Sequence, residues 1–469
     1  LSPRPALLVH PSSSSRCPSC ISGSGNADRR QWRPSRKRPA RTALRGRAKA
    51  DELGNQLVAF AEAVLPRMSH RKIKRQLVKR LEGTAQEVLH PNARVYGFGS
   101  SFNGCGEASS DIDLVIYLPP EVAGKIGAHK ALKMLADEAP SRGFAVLEMR
   151  LGFRVRVPII TLEMLNERQE PTGCFCDVSF QRLLPLHNTR LLRTYVELMP
   201  ELAPLVVVVK RWAKLKGVAG TFEGFISTYS WTLAVIYYCQ VTHGLPSLHE
   251  LAARAHGSLL WGERGHVGHD VDFVGPEAAQ EILGSTDPLK VCRLGAVLRG
   301  FFQFFSQEYD WRREVVSVRL GTRETLDHPA ISKHLLRQRI RRRNGRRAVI
   351  VALRAFNIED PIEIERNLNF ALRPVSSDRI RQALQEAHDS LTSGAGLLEL
   401  LGLDELPQRP PRRGRSSKQP WLSGFLSLGR RPPCECGICG RRFETMGAML
   451  DHERSCRNLG LMLLNIMGG

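Results

Sequence analysis

Gly99-Ser100-Ser101-Phe102-Asn103-Gly104-Cys105-Gly106, followed after a short gap by Asp111-Ile112-Asp113-Leu114-Val115-Ile116-Tyr117-Leu118, is the stretch from which this chain is read. The second part is an apolar run that predicts a strand. Its period of two puts Asp111 and Asp113 on one face, with Ile112 and Leu114 on the other. Two carboxylates side by side repel, so they are stable mainly with cations between them, and oxygen ligands at this spacing suit Mg²⁺. The first part carries the glycines and hydroxyls that let backbone N–H groups approach a phosphate. Together they imply metal-dependent chemistry on a nucleoside triphosphate. Asp-x-Asp alone is also what a solvated strand edge looks like. A third carboxylate, Asp177 in the run 173–180 (GCFCDVSF), strengthens the signal. If its strand pairs beside the first, three acids meet in a two-metal arrangement.

Gly99, Ser100, Asp111, Asp113 and Asp177 in this order resemble the nucleotidyltransferase domain of the DNA polymerase β superfamily. The continuations LPLHNTRLLRTYVEL (184–198), VVVVKRWAKLKG (206–217), FISTYSWTLAVIYY (225–238) and NIEDPIEIERNLN (357–369) resemble its noncanonical poly(A) polymerase and terminal uridylyltransferase branch. The similarity covers about residues 51–400 and rests on several independent motifs in family order. It implies an α+β fold: a nucleotidyltransferase mixed sheet with helices, then a mainly helical PAP-associated lobe, with a cleft between them. The implied activity is template-independent addition of UMP from UTP to RNA 3′ ends by two-metal catalysis with Mg²⁺ or Mn²⁺. A poly(A) polymerase using ATP is the alternative.

The resemblance also implies roles. Asp111 and Asp113 would ligate both metals, and Asp177 the metal that activates the RNA 3′-OH. Gly99 and Ser100 would hold the triphosphate, Asn188 and Thr189 the sugar, and Thr228 the phosphates, with the Tyr229 ring stacked on the base. Lys210 and Lys214 are four apart and share a helix face, where two ammonium groups suit the β,γ-phosphates; two ordinary surface lysines are the plainer alternative. Asp360, Glu363 and Arg366 would read the base. Here the chain departs from its relatives, because uridylyltransferases of this branch typically carry His at the position of Arg366. An arginine can donate to the uracil O2 or O4, or turn toward Glu363 and leave room for adenine. A 2′-5′ oligoadenylate synthetase fits less well, since residues 187–232 and 357–369 resemble the tailing branch. A catalytically dead RNA-binding protein is disfavoured by the presence of all three acids.

The net charge of +22 over 469 residues is unevenly placed: +11 in residues 1–50, +7 in 406–433 and only +4 in 51–405. Basic, Pro-rich tails flanking a nearly neutral body raise affinity for a polyanion without defining a sequence. The expected division is a basic tail or transit-like segment at 1–50, and N-terminal helices at 51–90 packing with the helical lobe. The catalytic domain follows at 91–186, the helical and nucleotide-recognition domain at 187–404, a basic linker at 405–433, a small finger at 434–457 and a tail at 458–469. Strands are expected over 93–99, 111–118, 155–162 and 176–180, and a helix over 128–139. Residues 337–347 hold seven arginines and read as an exposed loop gripping RNA phosphates.

The spacing Cys436-x2-Cys439-x12-His452-x3-Cys456, with Phe443 and Met449 as a minimal core, predicts a ββα finger that needs Zn²⁺ to fold. Cys434 offers an alternative first ligand. The finger's partner is RNA or a protein. The eleven cysteines, with no signal-like segment before them, are expected to be reduced thiols. The helix candidate at 225–241 is too short and too rich in hydroxyls for a membrane span and belongs in a core. A monomer with no membrane contact is expected, with a cytoplasmic location favoured and an organelle left open.

Overall fold

The computed structural model describes residues 51–406 except 153–154, 156, 257–259, 262–268, 284–293, 332–334, 336, 342–346 and 352–354, together with the two-residue strands Cys434–Glu435 and Arg442–Phe443. The ligands Cys436, Cys439, His452 and Cys456 expected of the finger lie outside the described residues.

The first body is a five-stranded mixed sheet. Its strands are β1 (Arg94–Phe98), β2 (Ile112–Tyr117), β3 (Phe144–Arg150), β4 (Ile159–Leu165) and β5 (Pro171–Phe180), in the order β1-β2-β5-β4-β3. Only β2 and β5 run parallel; the other pairs are antiparallel. The alternation within β2 explains its place. Ile112, Leu114 and Ile116 are fully buried on one face, against Leu77 and Leu81 of the helix Met68–Val88 and Leu132 and Leu135 of the helix Ala128–Glu138. On the other face Val115 packs with Tyr96 and Leu186, leaving Asp113 toward the helical lobe.

From Leu184 the chain is mainly helical. The helices Leu202–Leu215 and Thr228–His243 are apolar nearly all round and sit at the centre of the larger core, where Trp212 and Trp231 meet edge to face at 5.5 Å. Phe301, Phe302, Phe304, Phe305, Tyr309 and Phe356 extend this core. A three-stranded sheet of Asn357–Ile358, Glu314–Val316 and Glu324–Thr325 carries the loop that follows residue 358. No helix among the described residues is long and apolar enough to cross a membrane. The described cysteines Cys105, Cys174, Cys176 and Cys239 are buried and in no disulfide.

Two expectations are corrected. Of the N-terminal helices, only Glu52–Val64 joins the helical lobe, burying Leu53, Leu57 and Phe60 there, with the Asp51 carboxylate capping it and accepting from Gly295 N at 3.1 Å. The second, Met68–Val88, covers the sheet, because its apolar positions Leu77, Val78, Leu81 and Ala85 match the buried face of β1 and β2. The two ends of the arginine-rich segment are strands and not loop: Arg337–Arg341 pairs antiparallel with Arg347–Val351. The β-branched run Val349-Ile350-Val351 supplies the strand propensity that the arginines obscure.

Candidate active site

The parallel register of β2 and β5 makes Asp113 and Asp177 Cα partners, and Asp111 stands immediately before β2. Three carboxylates therefore gather on the adjacent interior strands β2 and β5, and their electrostatics record the crowding. Burial first, then Asp177 and Asp111, push the Asp113 carboxyl up to about 7, against the opposing pull of Lys210 and Lys74. Asp111 is raised by burial and by Asp177, with Lys74 and Lys214 opposing. Asp177 is oriented from its flanks: Thr161 Oγ1 donates to it at 2.6 Å, and Arg150 Nη2 lies 3.8 Å away. Among the described residues no three acidic, imidazole or thiol groups close into a ready-made metal cage. Acids that repel one another, with Asp111 and Asp113 drawn toward their neutral form, are nonetheless a donor set that Mg²⁺ or Mn²⁺ fits, since a hard divalent cation removes the repulsion.

The Gly-Ser turn lies directly over these acids. Gly99 has φ +74°, and a Cβ there would sit 2.1 Å from Asp113 Oδ2, so both backbone shape and closeness require glycine. It begins the short helix Ser100–Asn103, and the turn is held from three sides. Gly99 N donates to Thr189 Oγ1 at 2.8 Å. Lys210 Nζ donates to Cys105 O at 2.8 Å. Lys74 Nζ donates to Ser101 Oγ at 3.0 Å and to Ser110 O at 2.6 Å, while Ser101 Oγ donates to Asp111 O. Lys74 was not singled out in the sequence, where it looks like any lysine of a basic helix.

A cleft of about 240 Å³ is lined by Asp113, Asp177, Arg182, Asn188, Glu363 and Arg366 among others. Asn188 Oδ1 is buried with no hydrogen-bond partner among the described residues, as is Tyr229 Oη. Burial and the nearby Asp360 raise the Tyr229 hydroxyl pKa well above 10.

Several predicted site residues have a different footing from the one expected. Thr189 accepts from Gly99 N and donates to Pro185 O, so its hydroxyl holds the turn. Lys210 is buried and committed to a carbonyl, and burial lowers its pKa, whereas Lys214 is exposed. Asp360 is fully buried and builds the loop itself: its Oδ1 accepts from the N–H groups of Ile362 and Glu363, both at 3.0 Å. Arg366 turns inward, with Nη1 at 2.9 Å from Glu363 and 3.4 Å from Asp360. Only Glu363 and Arg366 of this trio line the cleft.

Residues 53–197 match the family described as poly(A) RNA polymerase, mitochondrial-like, central palm domain, and residues 293–366 match the Cid1 family poly A polymerase. These two stretches are thus similar to the two domains of the noncanonical poly(A) polymerase and terminal uridylyltransferase family. It is 28% identical over 341 residues to the terminal uridylyltransferase cid1 of Schizosaccharomyces pombe, covering 71% of this chain and 77% of that protein. It is 29% identical over 272 residues to the poly(A) RNA polymerase GLD2-B of Xenopus laevis, covering 57% of this chain and 50% of that one, so it spans about half the length of the GLD2 relative. A solved structure of Cid1 superposes with a TM-score of 0.60 at 24% identity, over 76% of this chain and 99% of that one, which establishes the shared mixed-sheet nucleotidyltransferase fold.

Proposed function

We propose that this chain is an RNA 3′-terminal nucleotidyltransferase that adds nucleoside monophosphates from an NTP without a template. The observation that carries the reading is the register Asp113↔Asp177 beneath Gly99, with Asp111 adjacent, in a cleft that Glu363 and Arg366 also line. Asp111, Asp113 and Asp177 would hold Mg²⁺ or Mn²⁺. That metal supplies Lewis-acid stabilisation of the triphosphate and of the attacking oxygen. The remaining steps belong to the chain. The Gly99-Ser100 end of the turn would face the phosphates, and Lys214 and Lys210 would lend positive potential. Asn188 offers its unpaired Oδ1 to the ribose. Asp177, steadied by Thr161, orients the 3′-OH for in-line attack on the α-phosphorus, and pyrophosphate leaves.

For the base, the similarity of the flanking motifs supports UTP. A second reading, ATP, is favoured by the inward turn of Arg366 onto Glu363, which leaves the base end of the cleft open to a purine. Incubating the chain with labelled RNA, Mg²⁺ and each NTP separately tests both. Extension with UTP above ATP supports the first, long tails with ATP alone support the second, and no extension with any NTP refutes the activity.

The carboxy-terminal Cys436, Cys439, His452 and Cys456 would hold one Zn²⁺, on the strength of their spacing and of the antiparallel pair Cys434↔Phe443, which brackets the first two ligands. The module would add affinity for RNA or a protein at the end of a basic linker. The chain would act as a monomer.

A further inference from the structure

We propose that Arg150 and Phe222 receive the last nucleotides of the RNA strand being extended, the guanidinium taking a backbone phosphate and the ring stacking a base. This rests on the reading of the chain as an RNA 3′-terminal nucleotidyltransferase. Sheet order gives the direction. Cross-strand partners share a face, so Phe98, Asp113, Asp177, Thr161 and Glu148 form one row across β1, β2, β5, β4 and β3 on the side of the cleft. The Gly99 turn continues β1 and lies over Asp113, to one side of the acids. A triphosphate held there puts the leaving pyrophosphate on the β1 side. In-line attack then brings the 3′-OH from the opposite side, over β4 and β3. Arg150 stands on that side, paired with Ile159 of β4, which itself lines the cleft.

Phe222 meets Arg150 from the helical lobe. It belongs to the loop 218–227 between the helices Leu202–Leu215 and Thr228–His243, and its ring centre lies 5.9 Å from the guanidinium carbon. The loop is fastened at its base. Gly220 N donates to Ile226 O at 3.0 Å, Phe225 N donates to Gly220 O at 2.9 Å, and Ile226 is fully buried. Phe222 at the tip is 83% exposed, more than any other large apolar side chain among the described residues. A fixed loop that holds a ring out in water suits a flat partner arriving from solution. The guanidinium is oriented beside it. Its Nε lies 3.1 Å from Glu148 Oε1 and Nη2 lies 3.8 Å from Asp177 Oδ2, which leaves N–H donors of the planar fork for a phosphate oxygen. Asp177 is thus one side chain away from the ring. That adjacency favours an RNA end over a protein segment or a lipid surface, since only a strand whose 3′-OH sits at Asp177 has to pass here.

The test measures extension kinetics of the full chain and its variants on a single-stranded RNA primer. Phe222→Ala is expected to raise KM for the primer about tenfold, within the range a base–aromatic stack supplies, with KM for the NTP at the wild-type value. Phe222→Tyr keeps the stack and should restore the primer KM, whereas Phe222→Leu keeps apolar bulk without a π-face and should not. Arg150→Gln should flatten the slope of log primer affinity against log salt by about 0.7, one lost phosphate contact on a single strand, and Phe222→Ala should leave that slope as it is. A Phe222→Ala or Phe222→Leu enzyme with the wild-type primer KM overturns the proposal and leaves the activity standing. So does a Phe222→Ala enzyme in which kcat and both KM values change together, the result of losing a mere contact between the lobes. A wild-type chain that extends the primer with no NTP overturns the activity and this proposal with it.

Discussion

Asp113→Asn should silence the enzyme and at the same time stabilise the metal-free protein. The Asp113 carboxyl rises from 3.8 to about 7, through burial and through repulsion from Asp177 and Asp111. The folded state therefore binds this proton more tightly than the unfolded chain does. Folding stability falls as pH climbs from about 4 to about 7, and the full penalty is present above that range. Converted at about 1.4 kcal/mol per tenfold, the rise sets a ceiling of about 4 kcal/mol. Water in the open cleft and sharing among three acids reduce the expected gain to about 1–2 kcal/mol. Asparagine keeps the shape beneath Gly99 and removes the charge. In EDTA at pH 7.5 the variant should melt about 1–3 °C above wild type, and the gap should narrow as pH falls and close near pH 4. Added Mg²⁺ should raise the wild-type melting temperature and leave that of the variant nearly unmoved. Primer extension should fall more than a hundredfold, the loss of about 3 kcal/mol or more of transition-state stabilisation. A variant that melts below wild type in EDTA at pH 7.5, or that still extends RNA at a normal rate, would refute the crowding argument.

Gly99→Ala should cost at least tenfold in kcat with a near-normal KM for RNA, since its Cβ would displace the Asp113 carboxylate; steady-state kinetics decide it. Glu359→Ala should destabilise the chain by about 3–5 kcal/mol in urea unfolding, because it strands Arg319, whose Nη2 lies 2.7 Å from that buried carboxylate. Arg366→His should raise the UTP-to-ATP ratio in single-nucleotide extension assays by freeing Glu363 and narrowing the base end of the cleft; an unchanged ratio would remove residue 366 from base choice. Metal analysis of the full chain should find one zinc per molecule, lost in Cys436→Ser.

The gathering of the three carboxylates was legible because their spacing is itself the signal: a period of two in an apolar run fixes which face Asp111 and Asp113 share, and the apolar character of 174–180 invited pairing with β2. What the sequence hid has physical reasons. Strand β3 lies at the sheet edge with Leu147 and Met149 more than half exposed and Glu148 and Arg150 among them, so it shows no alternation of apolar and polar residues. Lys74 gains its meaning only when a helix from one part of the chain crosses the start of β2. Asp360 carries the family pattern, yet its carboxylate is used by two backbone N–H groups of its own loop, a local competition that motif matching does not register.

The turn over the carboxylates is where the two halves of the molecule meet. Thr189 and Lys210 reach it from the helical lobe, and Lys74 from the helix covering the sheet. A loop rich in glycine would ordinarily pay a large ordering entropy on meeting a triphosphate. Here three side chains from separate elements fix Gly99, Ser101, Cys105 and Ser110 before any ligand arrives, so more of the phosphate interaction remains for catalysis. The same contacts couple the lobes. Any motion of the helix Leu202–Leu215 that separates Lys210 from Cys105 O loosens the turn above Asp113, and removes from Asp113 one of the two ammonium groups that oppose its protonation. Opening the cleft therefore loosens the phosphate grip, which is what release of pyrophosphate after each addition would require under the proposed activity.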